Sequence, residues 1–454
     1  MARVAPLSGF PEWSPAERVV ENAVLDTIAE VFTLHGFANI QTRAVEPVAR
    51  LGGDSDASKE IYVLSRLRAG EDRGEPSLGL HFDLTVPFAR YVEERQATLA
   101  FPFRRFQMQK VWRGERPQEG RFREFYQADI DVVARDVLPA QAEADVAIVM
   151  ARALDALRER VGVPRAVMRI NNRRLVEGFY RGVGITDVAA ALRAVDKLGK
   201  IGPDGVRAEL AGIGVGERAA DAVVRLASIQ SEGAEFFDRA LELWGEVDAQ
   251  GEEALTLFEE GLRHVARLVE AVNTAVPGTA RADLSIARGL DYYTGAVYET
   301  ELVGHEDLGS VCSGGRYDSL VGGGGFPGVG MSIGVSRLVS RLVTQGIATA
   351  SRGVPSAVLV AVVDEQTRPV SDAVADALRA RGIPCEVSPT AAKFGKQIQF
   401  ADRRGIPFVW FPGEGGDQVK DIRSGEQVDA HAASWEPPVA DRRPTVLLGR
   451  GEPD

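Results

Sequence analysis

The chain has 454 residues, 45% of them apolar and 26% charged, with a formal net charge of −12. That length exceeds one ordinary core and predicts two or three globular domains, while the longest clean apolar run, Ala357 to Val363, has strand length and excludes a membrane-spanning helix. The two isolated cysteines, Cys312 and Cys385, exclude a disulfide framework or a cysteine zinc site and fit a reducing compartment.

The N-terminal stretch MARVAPLSGFPEWSPAER has no apolar signal core, so a cytoplasmic protein is expected. Apolar residues Val19, Val20, Val24, Ile28, Val31 and Phe32 recur at helical steps and predict a helix over 15–35, stopped by Gly36. FANIQTRAV, from Phe37, reads as a strand. Short strands follow between Glu60 and Arg90, broken by the hairpin tip AGEDRGEP. A longer hairpin pairs FPFRRFQMQKVWRGE with RFREFYQADIDVV. Neighbouring strands of this kind favour an antiparallel sheet. A helix is predicted over 140–160, and 164–276 is mostly helical and reads as an inserted subdomain. Strands return over 282–302, followed by the glycine-dense CSGGRYDSLVGGGGFPGVG and a helix over 335–345. A break at SRGVPS opens a last unit, 355–454, whose strand–helix alternation predicts a small α/β domain.

The negative net charge argues weakly against a nucleic-acid partner, but a phosphate backbone responds to local patches. In the long hairpin, Arg123, Phe125, Gln127, Asp129 and Asp131 share one strand face, and Arg113 and Glu115 are co-facial on the other strand. Two readings stand. One is a solvated face with cross-strand ion pairs; the other is a ligand face on which Phe125 stacks against a purine. Arg116 and Arg121 at the hairpin tip suit phosphate, because a guanidinium donates in a fork and keeps its charge; taken alone, an ordinary polar turn explains them better. ARGLDYYTGAVYE sets Arg288 ahead of Asp291, Tyr292 and Tyr293, a set that either hydrogen-bonds a small polar substrate or forms buried, satisfied tyrosines. Lys393, Lys396 and Arg403, at spacings of three and seven, make either an RNA-backbone patch or a solvated basic face.

These segments together resemble the histidyl-tRNA synthetases, which are class II aminoacyl-tRNA synthetases, across nearly the whole chain. Arg113–Gly114–Glu115 looks like class II motif 2, PGVGMSIGVSRLVSRL like motif 3 ending in Arg337, and RGLDYYTG and SGGRYD like sequences particular to the histidine enzymes. The resemblance implies an α+β fold: an antiparallel catalytic sheet of six or seven strands with helices (1–163 and 277–350), a helical insertion (164–276), and a C-terminal α/β anticodon-binding domain (355–454). It implies ligation of L-histidine to tRNA(His) through a histidyl-adenylate, with ATP and Mg2+, by a homodimer. A regulatory subunit of histidine biosynthesis and a paralogue that activates histidine without charging tRNA are the alternatives.

Site roles carried over from the resemblance are as follows. Arg113 and the catalytic Arg288 meet the α-phosphate, and Glu115 and Phe125 meet adenine. Arg121 and Arg337 meet the β- and γ-phosphates. Asp83, Thr85 and Gln127 hold the α-amino end of histidine, while Asp131 and Tyr293 read the imidazole with Tyr292 close by. Arg116 and Gln118 face the tRNA acceptor end, and Lys393, Lys396 and Arg403 lie in the anticodon domain. The chain departs from the family pattern at His81, where Arg is usual, at Arg43 (Pro), at Ser336 (an acidic residue) and at Ser313 (Gly or Ala).

Overall fold

The computed structural model describes residues 5–52, 59–66, 78–286, 293–321 and 325–449. The chain divides into two compact units, Met1–Pro11 with Leu25–Ser340, and Glu12–Val24 with Arg341–Asp454.

The larger unit is built on a nine-stranded sheet. Its order is Ala38–Asn39, Phe103–Trp112, Glu124–Val133, Gly328–Gly334, Cys312–Tyr317, Tyr293–Leu302, Ala166–Asn172, Ala280–Asp283 and Gln230–Ser231. The six strands from Phe103–Trp112 to Ala166–Asn172 pair antiparallel throughout. The short strands Ala38–Asn39 and Ala280–Asp283 join this run in parallel, so the expected antiparallel sheet lies inside a larger mixed one. The long hairpin is continuous over ten paired residues, from Phe103 opposite Val133 to Trp112 opposite Glu124. The helix Gln141–Val161 buries an alanine- and valine-rich face that includes Val146, Met150, Leu154 and Leu157. It ends on Gly162 at φ 77°, whose N–H reaches the carbonyls of Leu157 and Arg158, a turn that glycine makes at no steric cost.

Three expectations need correction. FANIQTRAV does not form one strand; it contributes Ala38–Asn39, and the chain resumes extended pairing at Val45–Pro47. The stretch from Glu60 to Arg90 holds the strands Val63–Leu64 and Leu78–Leu80 but then turns into the helix Thr85–Arg95, where Asp83 accepts a hydrogen bond from the Val86 amide at 3.1 Å. The expected hairpin tip AGEDRGEP lies outside the described residues. Finally, the segment 164–276 begins with a sheet strand, Ala166–Asn172. Its alternating burial at Ala166, Met168 and Ile170 has period two, but the run is short against the helices that follow it.

The second unit carries a five-stranded sheet in the order Cys385–Val387, Val358–Val360, Phe408–Phe411, Asp417–Asp421, Gln427–Ala430. The first three strands are parallel and the last two antiparallel. The strand Val358–Val360, between two parallel neighbours, packs on both faces: Val358 and Val360 with Val374, Leu378 and Trp410, and Leu359 with Ala401, Ile406 and Val409. Burial on both sides explains why its sequence is an unbroken apolar run. The helices Arg368–Ala380 and Phe394–Arg404 follow the predicted alternation. Among the described residues, no helix is long and apolar enough to cross a membrane.

Candidate active site

The odd face of Glu124–Val133 is polar and sealed. Gln127, Asp129 and Asp131 sit opposite Gln109, Gln107 and Arg105 on one neighbouring strand, and opposite Gly334, Ser332 and Gly330 on the other. Asp131 is 1% exposed and Arg105 fully buried, so the solvated-face reading fails. Glycine at 330 is a steric requirement, because a Cβ there would stand 2.1 Å from Asp131 Oδ1. One strand further, Ser313 pairs with Ser332 and Gly315 with Gly330.

At the open end of this floor the arginines converge. The Arg113 amide donates to the Arg123 carbonyl at 2.9 Å, closing the hairpin, and its Nε donates to the Phe82 carbonyl at 3.0 Å. Gln118 and Arg121 exchange backbone hydrogen bonds in a tight turn at the hairpin tip. Arg337, in the first turn of the helix Val335–Thr344, donates to the carbonyls of Gly120 (3.1 Å) and Ser310. Glu115 lies 4.0 Å from Arg113 and 3.8 Å from Arg121. The Arg113 guanidinium sits 5.2 Å from the Phe125 ring centroid. Burial, and then the nearby charges of Arg121 and Arg113, push the Arg337 guanidinium down to about 10. Arg113, Glu115, Arg121, Phe125, Gln127 and Arg337 therefore line one cleft. Among the described residues of its lining, Glu115 is the one carboxylate facing three cations, an imbalance suited to a polyanion.

A second, smaller cavity shares Ser313 and Ser332 with the cleft and is lined by Thr85, Asp129, Asp131, Tyr293 and Tyr317. Asp131 accepts from Arg105 Nη2 at 2.6 Å and from the Tyr317 hydroxyl at 2.8 Å. Burial raises the Asp129 carboxyl to about 7, and those of Asp83 and Asp131 to about 6, against the lowering pull of the charged arginines. One oxygen each of Asp83 and Asp129, and Gln127 Oε1, are buried without a hydrogen-bond partner. Buried polar atoms of this kind call for a partner.

Of the expected residues, Arg113, Glu115, Arg121, Phe125, Gln127 and Arg337 line the first space and Thr85, Asp131 and Tyr293 the second, while Asp83 is buried and lines neither. Arg116 and Gln118 lie at the hairpin tip. Arg288, Asp291 and Tyr292 lie outside the described residues. Lys393, Lys396 and Arg403 belong to the second unit, all exposed, with Lys393 just ahead of the helix Phe394–Arg404. Sequence reasoning did not single out Asp129, Ser332, Arg105 or Tyr317 as site residues. Asp129 shared a strand face with Gln127 and Asp131, which was the available signal; the cross-strand partners carried none.

The departures have structural homes. His81 is buried, with Nε2 2.7 Å from the Lys110 carbonyl and its ring tilted on Trp112 at 5.6 Å; burial lowers its pKa. It lines neither cavity. Arg43 pairs with Glu46 at 2.9 Å. The Ser336 hydroxyl accepts from the Tyr126 amide at 2.9 Å, which ties the motif 3 helix to the hairpin without a charge. Ser313 stands at the junction of both spaces.

A family model described as histidyl-tRNA synthetase matches residues 9–338, and one described as an anticodon binding domain matches 357–434. A histidine–tRNA ligase of Cutibacterium acnes is 54% identical over 98% of this chain and 99% of its own length. That of Micrococcus luteus is 53% identical, with the same two shares covered. The crystal structure of histidyl-tRNA synthetase from Nostoc sp. PCC 7120 superposes with a TM-score of 0.80 at 35% identity, covering 95% of this chain and 98% of that one.

Proposed function

The chain belongs to the histidyl-tRNA synthetase family, and from that premise we infer that it ligates L-histidine to tRNA(His) at the expense of ATP. The observation that carries the residue assignment is the convergence of Arg113, Arg121 and Arg337 on a cleft that shares two serines with a cavity floored by buried acids. A carboxylate oxygen of histidine attacks the α-phosphorus of ATP, and the bond to pyrophosphate breaks. A terminal ribose hydroxyl of the tRNA then attacks the adenylate carbonyl, and AMP leaves. The first step needs no proton transfer, so positioning and charge neutralisation supply most of the rate.

In this reading Arg113 and Arg288 neutralise the α-phosphate, Arg121 and Arg337 take the β- and γ-phosphates, and adenine lies on Phe125 with its edge against Glu115. Gln127, Asp83 and Thr85 hold the ammonium end of histidine. Asp131 and Tyr293, with Tyr292, meet the imidazole. Arg116 and Gln118 face the acceptor end of the tRNA, and Lys393, Lys396 and Arg403 its anticodon side. Among the described residues no carboxylate, histidine or cysteine cluster could hold a metal. With Glu115 the one carboxylate of the described cleft lining, the chain offers a Mg2+ ion few donors, which fits an ion carried in on the nucleotide phosphates, where it would help neutralise their charge.

The identity to histidine–tRNA ligases over almost the whole chain, and the anticodon-binding family match at its end, favour tRNA charging over a regulatory subunit or a non-charging paralogue. A homodimer and a cytoplasmic location complete the reading. Histidine-dependent exchange of labelled pyrophosphate into ATP, followed by charging of tRNA(His), tests it. Exchange without charging would leave the paralogue; no exchange would defeat the assignment altogether.

A further inference from the structure

Gln127 faces the cleft with half its amide already committed. Its Nε2 donates to Ser332 Oγ at 2.8 Å, while its Oε1 is buried without a partner. Ser332 is in turn the cross-strand partner of Asp129, and its hydroxyl favours the charged form of that carboxyl. An ionised carboxylate only accepts, and a hydroxyl has one proton. Ser332 must therefore give its proton to Asp129 and accept from the Gln127 amino group. While Asp129 is ionised, donor and acceptor counting sets the sense of the chain, whichever way an amide is drawn.

We propose that Asp129 and Ser332 are positioning residues for amino-acid binding: they lock the Gln127 amide so that Oε1 is presented as an acceptor to the ammonium of the bound amino acid. This rests on the reading that Gln127 holds the α-amino end. Replacing Asp129 by a neutral donor, or protonating it, lets the hydroxyl proton turn, and Gln127 can then present its amino group and repel the ammonium. The groups facing Asp129 are Asp131 on its own strand, Arg105 on the neighbouring strand, Asp83 from the segment before the helix Thr85–Arg95, and Cys312 from the strand Cys312–Tyr317. Burial first, and then the charges of Asp131 and Asp83, raise its carboxyl to about 7 against the lowering pull of Arg105 and Ser332.

Pyrophosphate exchange with purified full-length protein tests this on three variants. Ser332→Ala is expected to raise KM for histidine about tenfold at pH 8, as for one lost hydrogen bond of roughly 1.4 kcal/mol, with a smaller change in KM for ATP. The wild type should bind histidine more weakly as pH falls from about 8 to about 6, through the Asp129 titration. Asp129→Asn removes the titrating group and should flatten that part of the profile; the titration of histidine itself is common to both proteins and cancels in the comparison. If Ser332→Ala leaves KM for histidine within twofold, or Asp129→Asn keeps the wild-type profile, the proposal is overturned. Gln127→Ala separates the two levels: no rise in KM for histidine would sink the reading beneath the proposal, whereas a rise alongside a neutral Ser332→Ala sinks the proposal alone. Should Ser332→Ala not fold, the Asp129→Asn profile decides.

Discussion

Arg105 Nη2 and Asp131 Oδ2 lie 2.6 Å apart, across paired strands, with neither side chain more than 2% exposed. The pair sits beneath the inferred amino-acid site, and Tyr317 holds the other Asp131 oxygen. The same guanidinium lies 4.2 Å from the Phe88 ring, and its charge acts on Asp129 as well. One arginine therefore anchors the orientation of Asp131 and tempers the repulsion among three buried acids.

Removing that cation leaves carboxylates buried without compensation. Arg105→Met keeps much of the volume and the packing against Phe88, so the loss is mainly electrostatic. It should destabilise the protein by about 3–5 kcal/mol, the usual cost of breaking a buried pair on one side. Urea unfolding measures it; a loss under about 1 kcal/mol would show that Arg105 does not hold the acids in place.

The same cluster gives stability a pH dependence of known sign. The carboxyls of Asp83, Asp129 and Asp131 are raised to about 6–7 in the folded state from an ordinary value near 3.8. The folded protein thus holds protons that the unfolded chain has released. This contribution is fully present below about pH 4 and is lost as pH rises through about 7. The three acids titrate together, so the difference between proteins is the useful quantity. The melting temperature of Asp129→Asn minus that of the wild type should grow more positive from about pH 5 to about pH 8. A difference that stays constant or falls contradicts the assignment.

Arg337 is buried beside the like charges of Arg121 and Arg113, so a triphosphate bound at the proposed site would relieve both burdens. An ATP analogue should raise the melting temperature of the wild type and barely shift that of Arg337→Ala. Loss of one donor to the developing charge should lower kcat/KM for ATP roughly a hundredfold or more. An unchanged kcat/KM would remove Arg337 from the phosphate site.

Gly330→Ala forces a methyl group to within 2.1 Å of Asp131 Oδ1, and Asp131 is pinned by Arg105 and Tyr317. Overpacking of this kind costs about 1–3 kcal/mol. KM for histidine should rise well before KM for ATP does. Equal effects on both substrates would place Asp131 outside the amino-acid site.

Replacing Lys393, Lys396 and Arg403 together with alanine should weaken tRNA charging without touching pyrophosphate exchange, since the proposed adenylate site lies in the other unit. The variant should also show a shallower dependence of tRNA affinity on salt, by about 0.7 in the log–log slope for each phosphate no longer neutralised. A salt dependence equal to that of the wild type would make the patch an ordinary solvated face.

Much of the candidate site is legible in the primary structure because its residues cluster in short segments with local signatures. Arg113, Glu115, Phe125, Gln127 and Asp131 fall in one hairpin, and strand alternation already put the last three on a common face. The apolar run 357–363 announced a strand covered on both sides, and it is one. The strand Ala166–Asn172 was missed because seven residues of alternation were outweighed by the helices after them.

Family membership, and the set of residues able to meet phosphate and a small polar ligand, follow from the order of residues alone, because both depend on chemical identity and near-neighbour spacing. Burial of the polar hairpin face does not follow from it, nor does the room that Gly330 makes for Asp131, nor the place of Ser332 between Gln127 and Asp129. Ser332 is 205 residues from Gln127 along the chain. Cross-strand register sets such pairings, and it emerges from the packing of the whole sheet, so no local pattern encodes it.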